Sequence, residues 1–186
     1  MLYILLGPTG VGKTTLGKAA AAALPNCKLY EMERLVASNA KMPTADDVVR
    51  VQGPDHYWRL CARILQAIDE KHKDGSLALC AVGSLALRSA MARSPLAKSA
   101  TTLLIWGKPE EVYNRSGWWP DKPLQAFLAA EYGIYSKAVY EKLRQANCFD
   151  TTGLGKDAAC KAFAAWLQDL MAKPAVAPPK AGDEEG

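Results

Sequence analysis

The chain has 186 residues, 49% of them apolar and 23% charged, with a formal net charge of +4. That length suits one domain with a substantial core, and the composition is ordinary for a globular protein. Lys and Arg are scattered rather than gathered into a basic stripe, which argues against a dedicated nucleic-acid binder, and no run approaches the ~18 apolar residues of a membrane span.

Leu2 to Leu6 is a short apolar run ended by glycine, as expected of a strand buried on both faces rather than a signal peptide. Thr14 to Leu24 is alanine-rich and helical by propensity, and Pro25-Asn26 stops it. Cys27 to Tyr30 reads as a second strand and Glu31 to Ser38 as a helix. Thr44-Ala-Asp-Asp47 has the form of a capped helix start. A longer helix runs from Gly53-Pro54-Asp55 to about Lys73, with Tyr57, Leu60, Cys61, Ile64, Leu65 and Ile68 at helical spacing. Leu77 to Val82 and Thr101 to Trp106 read as strands, and Pro109 to Arg115 as a helix. After the turn-rich "SGWWPDKP", Leu124 to Asn147 is expected to be one long helical stretch, bent near Gly133. Cys148 to Thr151 is a fifth strand and Asp157 to Met171 a last helix. The domain is expected to span 1–171, and the proline-rich segment 172–186 to be a disordered tail.

Strands alternating with helices imply a parallel sheet covered on both faces, with the ligand at the carboxyl ends of the strands. The five cysteines (Cys27, Cys61, Cys80, Cys148, Cys160) are odd in number and lack C-x-x-C spacing. They read as reduced thiols in a cytoplasmic protein, too dispersed for a zinc site. His56 and His72 have no partner spacing and read as packing or solvent residues.

At the end of the first strand, Gly7-Pro-Thr-Gly-Val-Gly-Lys-Thr14 matches G-x-x-x-x-G-K-[ST] in full. Gly7, Thr9, Gly10, Val11, Gly12, Lys13, Thr14 and Thr15 form a loop whose N–H groups can curl around phosphate. Lys13 can reach the outer phosphates, and the Thr14 hydroxyl can ligate Mg²⁺. Lys13 is expected to stand exposed there. The loop predicts binding of a nucleoside triphosphate, ATP with Mg²⁺, but does not name the acceptor. A chain this short has little room for motor or effector elements, which favours a compact kinase.

Further segments narrow the choice. "LYEMERL", "GPDHYWR", "NRSGWWPDKPL", "AEYGIYSKA" and "FDTTGLG" stand in the order and spacing of shikimate kinase, which the chain resembles over roughly residues 2–170. The resemblance implies a three-layer α/β/α P-loop kinase with a five-stranded parallel sheet of order 2-3-1-4-5. It also implies a mobile lid, here about 116–122, and a helical substrate-binding subdomain.

The family's Asp-x-Asp is matched by Glu31, which would help hold Mg²⁺ with Thr14, and Glu33, which would hold the acceptor hydroxyl and take its proton. The lid arginine is matched by Lys122, the arginine against adenine by Arg115, and the loop after the last strand brings Gly153 to the nucleotide. At the acceptor side the pattern departs. Trp58 stands where an arginine would grip shikimate's carboxylate, with Arg59 adjacent but about 100° round the helix. Gly83 alone remains of a triple glycine, and Glu131 stands where a second gripping arginine would be. Losing one partner of a buried charge pair typically costs about 2–5 kcal/mol, so shikimate itself is expected to be a poor acceptor. The expectation is a monomeric enzyme that phosphorylates a hydroxyl of a small metabolite, either shikimate through compensated contacts or another molecule, with neither nucleic acid nor membrane as partner. The alternative is a non-catalytic ATP-binding relative with a regulatory role.

Overall fold

The computed structural model describes residues 1–83, 100–117, 123–136, 141, 145 and 147–172. Its elements are β1 (Leu2–Leu6), α1 (Lys13–Ala23), β2 (Cys27–Glu31), α2 (Met32–Ala40), α3 (Ala45–Gln52), α4 (Pro54–Lys71), β3 (Leu77–Ala81), β4 (Thr101–Trp106), α5 (Pro109–Ser116), α6 (Leu124–Phe127), β5 (Cys148–Asp150) and α7 (Lys156–Ala172). The strands form one sheet in the order β2-β3-β1-β4-β5, and every pair is parallel. Register sets Leu5 of β1 against Ala81 of β3 and Leu103 of β4, so β1 and β3 end within one residue of each other while β4 runs two residues beyond Leu104, the partner of Leu6.

Strand β1 is buried throughout, and its side chains divide by parity. Leu2, Ile4 and Leu6 enter a core with Val36, Val48, Tyr57, Cys61, Leu65 and Cys80 from α2, α3, α4 and β3. Tyr3 and Leu5 enter the opposite core with Leu16, Leu79, Ile105, Phe127, Phe163 and Leu167. A strand sandwiched in this way must be apolar at every position, hence its continuous run. Thr44 caps α3 by accepting the Asp47 N–H at 3.1 Å.

Over residues 124–136, the stretch after Pro123 is helical but not a single α-helix. Helix α6 passes into a π turn over Leu128–Tyr132 and then a 3-10 turn over Gly133–Ser136. The two neighbouring residues Glu131 and Tyr132 are both buried there. Tyr132 donates its hydroxyl to the Gly107 carbonyl at 2.9 Å and meets Trp106 edge-on. The wider turn directs both side chains inward, a common use of π turns. Of the residues in 137–147, only 141, 145 and 147 are described. The lid residues 118–122 and the tail 173–186 lie outside the described residues, and with them Lys122.

The two histidines differ. His72 is buried, whereas His56 is partly exposed on α4. Tyr30 donates its hydroxyl to His72 Nε2 at 2.9 Å, His72 Nδ1–H donates to Ser76 Oγ at 2.6 Å, and Ser76 donates to Asp74 Oδ1 at 2.6 Å. The direction follows from Asp74, whose carboxylate only accepts and whose pKa the Ser76 bond holds low. This chain ties β2 to the C-terminal end of α4. Replacing His72 by Ala strands the Tyr30 and Ser76 hydroxyls, so His72→Ala should cost about 1–3 kcal/mol. His56→Ala should stay within about 0.5 kcal/mol. Urea unfolding midpoints of the two variants check the contrast.

Candidate active site

The site grows from the end of β1. Gly7 has φ 152°, and a Cβ there would run into the Ile105 carbonyl of β4. Gly10 has φ 84°, and its Cβ would stand 2.7 Å from the Cβ of Ser116. Both positions are therefore closed to side chains by conformation and by contact. The loop lies pressed between β4 and the end of α5. Helix α1 follows with Gly12 as its cap, so no side chain covers its first turn, which also carries no acidic residue. That leaves a helix start suited to an anion.

Lys13 is half-buried rather than exposed, because its ammonium turns back to donate to the Gly7 carbonyl at 2.7 Å and the Pro8 carbonyl at 2.9 Å. Burial lowers its pKa to about 8, against the opposing pull of Glu33 and Glu131.

Two carboxylates arrive from the β2–α2 junction and take separate neighbours. Glu31, the last residue of β2, accepts from the Thr14 hydroxyl at 3.5 Å and is flanked by Arg34 and Lys18. Glu33, in the first turn of α2, lays its carboxylate over Gly83, just beyond β3. Its charge is felt by Lys13 and by the buried thiol of Cys61, which burial, helped by Glu33, pushes up to about 12.

Glu131 reaches the loop from the π turn. It is 4% exposed, and its Oε2 accepts the Thr9 N–H at 2.9 Å. Trp58 packs against the core that holds Tyr57 and Cys61, and its indole N–H is buried with no hydrogen-bond partner among the described residues. Arg59 is exposed on α4, and no contact among the described residues brings it to the loop.

On the other side of the loop, Arg115 sits one residue from Ser116. Its Nε–H donates to the Glu111 carbonyl at 3.2 Å, and its Nη2 lies 3.7 Å from Glu111 Oε2. The same Oε2 accepts the Gly153 N–H at 2.9 Å. Glu111 thus joins the two residues expected near the base, and sequence reasoning did not single it out. Its four-residue spacing from Arg115 was the available signal.

A family model for shikimate kinase matches residues 9–164. The chain belongs to the shikimate kinase family. Among solved structures, it resembles shikimate kinase from Bacteroides thetaiotaomicron with 18% identity and a TM-score of 0.71, covering 92% of this chain and 98% of that one. Shikimate kinase from Aquifex aeolicus is similar at 17% identity and a TM-score of 0.68, covering 92% and 99%. The tunicamycin resistance protein of Deinococcus radiodurans is similar at 17% identity and a TM-score of 0.62, covering 89% and 94%. At these identities the likeness is one of fold. No curated protein matches the chain. Among the described residues no helix is long and apolar enough to cross a membrane, and no group of three or more His, Cys, Asp or Glu is placed to hold a metal ion.

The position of Lys13 yields a pH test. The protonated amine is the form that meets phosphate, and it is populated below about 8 and lost above it. ATP affinity should therefore be flat near neutral pH and weaken as pH rises through 8, by at most about tenfold per pH unit. Lys13→Arg should flatten that dependence, and Lys13→Ala should weaken ATP binding by about 10- to 100-fold while the protein stays folded. Calorimetric titrations with ATP between pH 7 and 9 provide the check.

Proposed function

We propose that this chain transfers the γ-phosphoryl group of ATP to a hydroxyl of a small acceptor that lacks shikimate's carboxylate. The observation that carries the reading is the separate seating of Glu31 and Glu33, one beside Thr14 and the other over Gly83 with its charge felt by Lys13. A phosphate loop that only held nucleotide would have no use for the second carboxylate. The Thr14 hydroxyl and Glu31 carboxylate are hard oxygen donors and fit Mg²⁺. The ion, when bound, would neutralise charge on the phosphate oxygens.

Glu33 orients the attacking hydroxyl. The acceptor oxygen forms a bond to the γ-phosphorus, the bond from that phosphorus to the bridging oxygen breaks, and ADP leaves. The acceptor's proton passes late to the Glu33 carboxylate and then to water. Lys13 balances the phosphate charge. Arg115 lies against the base and Lys122 closes with the lid segment 116–122.

The acceptor end supports a molecule other than shikimate. Trp58 puts an apolar ring with a buried indole N–H where the resemblance calls for a cation. Glu131 puts a carboxylate at the Thr9 N–H, and its charge reaches Lys13. A carboxylate-bearing acceptor would meet like charge there, which costs several kcal/mol at a desolvated contact. The fold does not argue otherwise, since a protein named for tunicamycin resistance shares it.

ADP release measured across neutral polyols, amino alcohols and hydroxy acids tests the reading. Shikimate should be turned over feebly or not at all by the unmodified protein, and Trp58→Arg combined with Glu131→Arg should raise that activity. Because Glu131→Arg also removes the Thr9 contact, the double variant is first shown to bind ATP. Efficient phosphorylation of shikimate by the unmodified protein, with a KM up to about 1 mM, overturns the acceptor assignment. No ADP release above hydrolysis with any compound would favour a nucleotide-binding relative without transfer.

A further inference from the structure

Gly83 has no backbone reason to be glycine. Its φ is not positive, unlike those of Gly7, Gly10 and Gly12. An alanine would fit the backbone without strain. The space where its Cβ would go is filled, and the three nearest heavy atoms all belong to the Glu33 carboxylate. The carboxyl carbon lies 2.9 Å from that position and Oε2 3.6 Å, with Oε1 closer still. What stands against Gly83 is the end of a flexible side chain, so an added methyl would leave the fold intact and move the carboxylate.

We propose that Gly83 is a positioning residue for Glu33: the bare Cα at the end of β3 is the seat on which the longer glutamate side chain rests its carboxylate. The proposal rests on the reading of Glu33 as the acceptor-side carboxylate, and it gives Gly83 a role other than lying against the acceptor. A glutamate extends one methylene beyond an aspartate, and the surplus length has to be accommodated. Register places the end of β3 beside the end of β1, where the phosphate loop begins, with Leu5 opposite Ala81 and the Val82 N–H bonded to the Leu5 carbonyl at 3.0 Å. A carboxylate seated on Gly83 is thereby held at the level of the loop, close enough for Lys13 to feel its charge. The partly exposed glutamate would otherwise range over several rotamers.

The test is a two-by-two set at positions 83 and 33, with Glu33→Gln as reference, all in the full-length protein. The readouts are ADP release with water and with the best compound of the acceptor panel, and the KM for ATP. Gly83→Ala should lower kcat by about tenfold or more, a part of what an acid–base group supplies, with the KM for ATP within about twofold. Glu33→Asp withdraws the carboxylate from the added methyl. Adding Gly83→Ala to Glu33→Asp should therefore cost less than about twofold, a non-additivity that marks residues in contact. Circular dichroism and melting should show all variants folded.

Parental kcat in Gly83→Ala, with Glu33→Gln inactive, overturns the positioning role and leaves the reading of Glu33 standing. An equal loss on adding Gly83→Ala in both backgrounds overturns it as well, since the methyl would then act without moving the carboxylate. Parental ADP release in Glu33→Gln overturns the reading of Glu33 and this proposal with it.

Discussion

A backbone that turns its N–H groups inward over a phosphate has no room for side chains where it touches the rest of the protein. Gly7 lies against the Ile105 carbonyl and Gly10 against Ser116. These two contacts set the depth of the loop between β4 and α5, and much of the site takes its position from them. Lys13 is bonded to the Gly7 and Pro8 carbonyls. Thr14, one residue on, meets Glu31 because β2 ends level with β3, and β3 with β1. Arg115 is carried by the helix whose end presses on Gly10. The parallel sheet thus acts as a level, bringing the carboxyl ends of β1, β2 and β3 to one plane on which a single loop can meet several side chains.

What the sequence made legible was the part whose causes are local. Strands buried on both faces must be apolar at each position, so Leu2–Leu6 and Leu77–Ala81 stand out as runs. The glycines of the phosphate loop are imposed by backbone conformation, and Thr44 by its own N–H partner three residues on. What stayed hidden depends on distant chain. The Glu131 contact to Thr9 joins residues 122 apart, the Glu111 contact to Gly153 residues 42 apart, and the Tyr30 contact to His72 residues 42 apart. No periodicity encodes such pairs. The π turn at Leu128–Tyr132 was hidden for the same reason, since local propensity there favours an ordinary helix. The inward demand of Glu131 and Tyr132 is a tertiary cost set against it. Lys13 reads as exposed by residue type and is half-buried because its own loop offers it two carbonyls.

The resemblance to shikimate kinase separates into halves that obey different physics. The nucleotide half is recognised mainly through backbone, which tolerates change at any position that keeps its conformation. The acceptor half, on the reading proposed above, is recognised through side chains, and the resemblance puts a glutamate there in place of a cation. Glu131 makes that reversal structural, since its carboxylate is bonded into the loop and buried. A buried carboxylate held by a backbone N–H is not a passive replacement for a cation. On the proposed function it would repel an anionic acceptor while it supports the loop, which would couple acceptor preference and loop geometry through one residue.

The same coupling explains why the acidic pair can be glutamates. Aspartates at Glu31 and Glu33 would stop one methylene short of their present neighbours. With glutamates, Glu31 spans to Thr14 at 3.5 Å, and Glu33 crosses to the bare Cα of Gly83. Longer side chains lose more rotamer freedom when held, about 1.5–2 kcal/mol for glutamate. That entropy must be offset by contacts that restrict the side chain. Arg34 and Lys18 flank Glu31, while the space left by a glycine receives Glu33. Of the two lengthened carboxylates, then, Glu31 is held by cations and Glu33 by a space opposite. At the end of β3, where the backbone would have accepted any residue, the side chain has been shortened to a hydrogen.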